Sequence, residues 1–207
     1  MKPSRKSLSI LRDIAAAVKT FHHHAHILLD IAQQEFKADA NLTYLEIGCY
    51  AGATASLMLQ RPNTTVITID TGVAVPRETA MGNMERFNVH GNPVHYIAAD
   101  SHELSTLLEV MAISDKADIL FIDGGHSRKD VVSDYMMYAR LVPKGGYLVF
   151  DDYNDDLECP EIHAAVDDIA RFAKGWQVIG PIKNQLGAKC FEDDRTDGNC
   201  FVMRRTK

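Results

Sequence analysis

Two apolar segments of this chain end in side chains that could do acid–base or metal chemistry. The first is followed by Asp123 and, three residues later, His126, and the second by the pair Asp151 and Asp152. If the segments are neighbouring parallel strands, these side chains meet in the crevice at the carboxyl ends of the strands, where ligands bind in open α/β sheets. Carboxylate oxygens suit a hard cation, and an imidazole can accept a proton near neutral pH. The spacing therefore predicts a cation site with a base beside it.

The same residues also have ordinary structural interpretations. Asp151 and Asp152 could cap a turn after a strand, and His126 could be hydrogen-bonded into a turn, since a single imidazole carries little information. Three carboxylates at one mouth would repel one another, and a bound cation would relieve that repulsion. We therefore favour the cation site and keep the capped turn as the alternative.

A loop with two glycines follows an earlier apolar segment. Gly48 and Gly52 allow the backbone to turn sharply and to approach a ligand closely, and the helix that follows offers its free N–H groups at the same place. The dinucleotide fingerprint G-x-G-x-x-G needs a glycine where Tyr50 stands, so this loop is a different motif. Asp70 ends the next apolar segment, about twenty residues beyond the loop, where a carboxylate can accept hydrogen bonds from ribose hydroxyls.

The elements that must position these residues follow an alternating pattern. From residue 42 onward short apolar segments alternate with helical periodicity, which is typical of βα units and a mostly parallel sheet. A helical period over residues 7–36 predicts one or two amphipathic helices before the sheet. We expect an α/β fold with an N-terminal helical extension over residues 1–40 and a single globular unit over residues 41–207. Strands are predicted at 43–47, 65–69, 94–98, 119–122 and 147–150, and a closing antiparallel hairpin at 176–179 and 201–204.

The composition argues against several functional classes. A formal net charge of −6 and a pI near 5.8 disfavour nucleic acid or anionic lipid as a partner, because phosphate binding needs a clustered basic face. No segment is apolar for long enough to span a bilayer, and the basic start lacks the apolar run of a secretion signal. The four cysteines include no C-x-x-C pair, which indicates reduced thiols and a cytoplasmic location, although Cys190 and Cys200 could approach each other in the closing hairpin.

A histidine cluster lies near the start of the chain. His22 and His26 would share one face of a helix, where they form a possible metal pair. Because the cluster has no carboxylate motif beside it, we interpret it as a solvated helix face.

The glycine loop resembles the first motif, E-x-G-x-x-x-G, of class I S-adenosylmethionine-dependent methyltransferases. The resemblance implies that Glu46 and Gly48 lie by the amino-acid end of the cofactor, that Asp70 binds the ribose, and that the turn at Asp100 and Ser101 meets the adenine amino group. It also implies a Rossmann-like, mostly parallel seven-stranded sheet. The expected cofactor site comprises Glu46, Gly48, Tyr50, Gly52, Asp70, Asp100, Ser101 and Asp123.

The two acidic strand ends extend this resemblance. Asp123-Gly124-Gly125-His126, followed by G-G-x-x-x-x-D-D, is similar to the metal-dependent O-methyltransferases, including the macrolide sugar O-methyltransferase and cephalosporin hydroxylase groups. The resemblance implies that Asp123, Asp151 and Asp152 are Mg²⁺ ligands and that His126 and Asp123 are catalytic, with His126 as the general base. Relatives often carry Glu-Asp or Asp-Asn at the double-acid position, so either Asp151 or Asp152 could bind the ion directly.

We therefore predict an S-adenosylmethionine-dependent O-methyltransferase that modifies a hydroxyl of a small molecule with the help of Mg²⁺, and we leave open whether it forms a homo-oligomer. Sugar, polyketide and catechol-like acceptors remain open. Methylation without metal, with His126 alone as base, is a further possibility. The alternatives from other classes are an NAD(P)-dependent oxidoreductase that uses the same crevice and a non-catalytic binding protein on a methyltransferase-like fold.

Overall fold

The computed structural model describes residues 4–20, 23–182 and 199–207. Within these ranges the centre of the fold is a seven-stranded sheet with the order β3-β2-β1-β4-β5-β7-β6. The five strands from β3 to β5 run parallel, and β7 is antiparallel to both of its neighbours. The predicted mostly parallel sheet with a closing antiparallel pair is confirmed. The strands are β1 (Leu42–Ile47), β2 (Thr64–Asp70), β3 (Val94–Ala98), β4 (Ile119–Ile122), β5 (Tyr147–Phe150), β6 (Trp176–Pro181) and β7 (Phe201–Arg205).

Helices cover both faces of the sheet and connect its parallel strands. The helix α6 begins with a capping box, in which Ser127 and Asp130 exchange side-chain-to-backbone hydrogen bonds. Short 3₁₀ segments at His23–His26 and Ala139–Leu141 precede α2 and follow α6. The helices are α1 (Arg5–Val18), α2 (Ile27–Gln34), α3 (Ala53–Met58), α4 (Arg77–Phe87), α5 (Leu104–Ile113), α6 (Arg128–Tyr138) and α7 (Ile162–Phe172).

The core lies in two layers, one on each face of the sheet. Alternate residues of a strand point to opposite faces, so Tyr44 of β1 packs with the N-terminal helices, whereas Leu45 packs with α5, α6 and α7. Burial on both faces is typical of parallel sheets, and all six residues of β1 are buried. Leu11 and Ile14 of α1 belong to the same apolar cluster as Tyr44. The boundary at residue 40 stays a prediction.

The histidine cluster differs from its interpretation as a solvated helix face. His26 is only 2% exposed, and its Nε2 lies 3.9 Å from Oδ2 of Asp30, which is itself buried. The same carboxylate accepts a hydrogen bond from the backbone N–H of Ser4, and burial raises its pKa to about 6. The interpretation was wrong for His26 because the start of α1 packs over it. His22 lies outside the described residues, as does Cys190 of the suggested cysteine pair.

None of the helices in the described ranges is both long enough and apolar enough to cross a membrane. The carboxyl ends of β1 to β5 lie along one edge of the sheet. Glu46 lies within β1 and Asp70 ends β2, whereas the other predicted acidic residues follow their strands.

Candidate active site

The loop between β1 and α3 lies directly against the end of β4. Gly48 has a φ of +87°, and a Cβ at this position would come within 1.8 Å of the backbone oxygen of Asp123. Its N–H donates to the backbone oxygen of Ile69 at the end of β2. Only glycine permits both this conformation and this approach, so Gly48 fixes the glycine loop beside two strand ends.

Asp70 fastens the same loop from the end of β2. Its Oδ2 accepts hydrogen bonds from the backbone N–H groups of Cys49 (2.9 Å) and Tyr50 (2.8 Å), while Oδ1 accepts from that of Gly72 (2.7 Å). Tyr50 is held with a φ of +46°, which is uncommon for a non-glycine residue. The carboxylate thus stabilises a loop conformation that the chain would otherwise avoid.

A cavity of about 650 Å³ opens beside this loop. Its volume is in the range of small-molecule and cofactor sites. The cavity also reaches His126 and Asp130, at the start of the segment that leads into α6. Six of the eight predicted cofactor residues line it: Gly48, Tyr50, Asp70, Asp100, Ser101 and Asp123.

The other two predicted cofactor residues, Glu46 and Gly52, do not line the cavity. Glu46 is fully buried, and its Oε1 accepts hydrogen bonds from the hydroxyls of Tyr44 (3.0 Å) and Thr54. Burial raises the pKa of Glu46 to about 8, and the negative charges of neighbouring aspartates add to this rise. Gly52 begins α3 with a φ of +78°. Both residues therefore lie outside the cavity wall, Glu46 within β1 and Gly52 at the start of α3. Their contact with a cofactor stays a prediction.

The turn after β3 is anchored by a residue that the sequence did not single out. Ser101 donates a hydrogen bond through its Oγ to Oδ1 of Asp134 (2.6 Å), and its backbone oxygen accepts one from the hydroxyl of Tyr138 (2.7 Å). Asp134 is fully buried, and its pKa is raised to about 6, mainly by that burial. A signal was present, since Asp134 lies between Val131 and Tyr138 on the apolar face of α6.

The ends of β4 and β5 place the predicted metal ligands around one crevice. Among the described residues, however, the carboxylate oxygens of Asp123, Asp151 and Asp152 do not all lie within 4.8 Å of one another. The pKa of Asp123 is raised well above its usual range by burial first, and then by the negative charges of Asp151, Asp152 and Glu46. A narrow crevice beside the cavity is lined by Asp123, His126, Asp151 and Asp152. The structure thus places all four residues of the predicted cation and base site around one crevice.

Asp152 contacts side chains from three separate parts of the chain. Its φ of +54° is in the left-handed region. Its Oδ1 accepts a hydrogen bond from Nδ2 of Asn199 (3.1 Å), and its Oδ2 lies 3.4 Å from Nε2 of His126 and accepts one from Sγ of Cys159 (3.5 Å). In a parallel contact, Sγ of Cys200 donates to Oδ1 of Asp151 (3.6 Å). No local sequence signal pointed to Asn199, Cys159 or Cys200.

Comparison with known proteins adds the family. Residues 45–153 match a protein family described as a methyltransferase domain. The uncharacterised protein R132 of Acanthamoeba polyphaga mimivirus is 36% identical over 178 residues, which cover 82% of this chain and 80% of that protein.

Solved structures of low sequence identity share the fold. The O-methyltransferase NovP superposes with a TM-score of 0.61 at 19% identity, covering 95% of this chain and 79% of that one. An O-methyltransferase from Bacillus cereus in complex with S-adenosylhomocysteine gives 0.63 at 17% identity, covering 100% and 93%. The TDP-rhamnose 3'-O-methyltransferase CalS11 gives 0.62 at 12% identity, covering 99% and 96%. Since the family match spans more than half of the chain and includes the glycine loop and both acidic strand ends, this protein belongs to the class I S-adenosylmethionine-dependent methyltransferases.

Proposed function

We propose that this methyltransferase transfers a methyl group from S-adenosylmethionine to a hydroxyl of a small molecule, with the help of Mg²⁺. One observation carries the proposal. The cavity is lined by six of the eight predicted cofactor residues, Asp123 among them, and it also reaches His126, so a methyl donor and an acid–base group would share one space. A reacting oxygen held in that space would need little further alignment.

The residues around the cavity suit the cofactor. When bound, S-adenosylmethionine supplies a methyl group that its sulfonium has already activated. Gly48 keeps the loop close to the end of β4, because any side chain there would collide with the backbone of Asp123. The carboxylates of Asp70 and Asp100 lie at the ends of two adjacent strands in the cavity wall. Tyr50, nearly half exposed, borders the same space. We assign Asp70 to the ribose and the turn at Asp100 and Ser101 to the adenine.

The acids at the ends of β4 and β5 suit a divalent cation. Asp123, Asp151 and Asp152 offer oxygen atoms, which Mg²⁺ prefers, and the charges of the latter two raise the pKa of Asp123. A cation among them would reverse that rise. Mg²⁺ bound there would lower the pKa of a coordinated hydroxyl and orient it.

We assign the general base to His126. The side chain is 52% exposed, and it borders both the cavity and the crevice. The imidazole would take up the proton of the acceptor hydroxyl, and Oδ2 of Asp152, 3.4 Å from Nε2, would stabilise the imidazolium. Asp123, which borders both spaces, would help to hold the cation.

An oxygen acceptor is supported by the neighbours in fold. NovP and the Bacillus cereus protein are O-methyltransferases, and CalS11 methylates the 3'-oxygen of TDP-rhamnose. We therefore place a sugar hydroxyl first among the acceptors to be tried.

Calorimetric titration of the purified protein with S-adenosylhomocysteine tests the cofactor assignment without knowledge of the acceptor. We expect binding in the micromolar range. Binding of NADH in its place would favour the oxidoreductase alternative, and binding of neither ligand by folded protein would favour a non-catalytic role.

A further inference from the structure

Three different metal-ligating atoms meet at the crevice between β4 and β5. They are Nε2 of His126, Oδ2 of Asp152 and Sγ of Cys159, and they all lie within 4.8 Å of one another. His126 follows β4, Asp152 follows β5, and Cys159 precedes α7. This set contains nitrogen and sulfur as well as oxygen, so it differs from the all-carboxylate set assigned to Mg²⁺.

Two of the three separations between these atoms match the edges of a tetrahedral zinc site, and the third lies within 4.8 Å. Zinc binds histidine nitrogen at about 2.0–2.1 Å, carboxylate oxygen at about 2.0–2.2 Å and cysteine sulfur at about 2.3 Å, so two of its ligands lie roughly 3.3–3.6 Å apart. Here Nε2 of His126 is 3.4 Å and Sγ of Cys159 is 3.5 Å from Oδ2 of Asp152. The ligand types also favour a borderline cation such as Zn²⁺ over Mg²⁺.

The surrounding structure holds two of the three ligands in place. Nδ2 of Asn199 donates to the second oxygen of Asp152 and so orients its carboxylate, as outer contacts do in known metal sites. Oδ1 of Asp155 accepts the backbone N–H groups of Leu157 and Glu158, and its backbone oxygen accepts that of Cys159. This turn fixes the position of the cysteine.

Burial suggests how an ion would enter. Cys159 is 3% exposed, whereas the side chain of His126 is 52% exposed. The sulfur therefore lies at the inner end of the site and the imidazole at its mouth.

We propose that His126, Asp152 and Cys159 bind Zn²⁺ or a similar borderline divalent cation. The binding site itself is independent of the methyl-transfer reaction, but its consequence rests on the proposed function. Such an ion would bind the imidazole that we assign as the general base, and it would take Asp152 from the Mg²⁺ set. Zn²⁺ would therefore inhibit methyl transfer.

Titration of the full chain with Co²⁺, a spectroscopic substitute for Zn²⁺, tests the site directly. We expect a near-ultraviolet charge-transfer band from a cobalt–thiolate bond, and its loss when Zn²⁺ displaces the cobalt. The Cys159→Ser variant should lose the band. Cys200→Ser is the matched control, because Cys200 is also buried and its sulfur contacts Asp151 at the same crevice. This variant should keep the band. Cobalt held by the His22–His26 cluster would give no thiolate band.

A second variant keeps the test decisive if Cys159→Ser folds poorly. His126→Gln changes a half-exposed side chain and should lower the affinity for Co²⁺ by at least about 10-fold. Absence of the band in the unmodified protein, or its survival in Cys159→Ser, would overturn the proposal. Titration with S-adenosylhomocysteine in the same samples separates the two proposals, because a cobalt band without cofactor binding would refute the methyl-transfer function alone.

Discussion

The two halves of the sheet edge hold their carboxylates in different ways. At the ends of β2 and β3, Asp70 and Asp100 accept hydrogen bonds from backbone N–H groups of nearby turns. At the end of β5, Asp152 instead contacts the side chains of His126, Cys159 and Asn199. Backbone donors are present whatever the side chains are, so the first arrangement depends mainly on loop geometry. The second depends on side-chain identity, and this half can therefore be adapted to different ions and acceptors.

Among the substitutions considered, Gly48→Ala should disturb the first half, the glycine loop with Asp70 and Asp100, most strongly. The added Cβ would lie 1.8 Å from the backbone oxygen of Asp123, so loop and strand must separate. We expect a loss of roughly 2–4 kcal/mol in folding free energy and no measurable binding of S-adenosylhomocysteine. Denaturant unfolding and calorimetry measure the two effects. Gly91→Ala is the control, since Gly91 also has a positive φ but has open space around it, and it should retain cofactor binding.

Asp152→Ala should remove the function of the second half, the acidic residues after β4 and β5, and leave cofactor binding at the first half unchanged. We expect kcat to fall by about 100-fold or more and the remaining turnover to lose its sensitivity to EDTA, because the variant lacks a cation ligand. The affinity for S-adenosylhomocysteine should stay nearly unchanged. Asp156→Ala removes an exposed carboxylate from the same loop and should keep full turnover. An unaffected rate in Asp152→Ala would eliminate the metal role of this residue.

Glu46→Gln gives the smallest expected effect. It tests whether the buried Glu46, just before the glycine loop, makes folding stability depend on pH. The pKa of Glu46 is raised from 4.5 to about 8 by burial, so below pH 4.5 the carboxyl is protonated in both the folded and the unfolded chain. Between these values only the unfolded chain releases the proton, and the folded state loses stability as the pH rises. Glutamine cannot ionise, so the variant should gain stability relative to the unmodified protein from pH 5 to pH 8.

Thermal melts across this pH range measure the difference between the two proteins. Glu85→Gln, at an exposed position of α4, controls for the simple removal of a negative charge. Equal pH dependence of Glu46→Gln and the unmodified protein would mean that Glu46 is already ionised in the folded state.

The sequence predicted the strand ends in both halves of the edge, but it did not predict the side-chain contacts made there. Examples are the hydrogen bond from Ser101 to Asp134 in the first half and that from Asn199 to Asp152 in the second. The observed β3, β4 and β5 have the predicted bounds, because short apolar segments between helical periods are local signals. Asp70 and Asp100 follow from those strand ends. Asn199 lies 47 residues from Asp152, and its contact exists only because β7 pairs with β5. Such a contact depends on tertiary pairing, for which the sequence carries no periodic signal.

The failure at His26 has a similar physical cause. The histidine pattern suggested a solvated face, but whether a helix face is solvated depends on what packs against it. Here the backbone of Ser4 and the carboxylate of Asp30 close over that position. A single sequence does not reveal such packing between α1 and α2.

The position of β7 between β5 and β6 also bears on aggregation. This strand pairs with both neighbours, and the residues just before it, Asn199 and Cys200, contact the aspartates of the second half of the edge. If β7 were displaced, β5 would present an open row of backbone donors and acceptors, which is a template for pairing with another chain. The segment that contacts the acidic site thus leads into the strand that covers β5. A substitution that displaces β7 would therefore both disturb the acidic site and expose β5 to pairing with another chain.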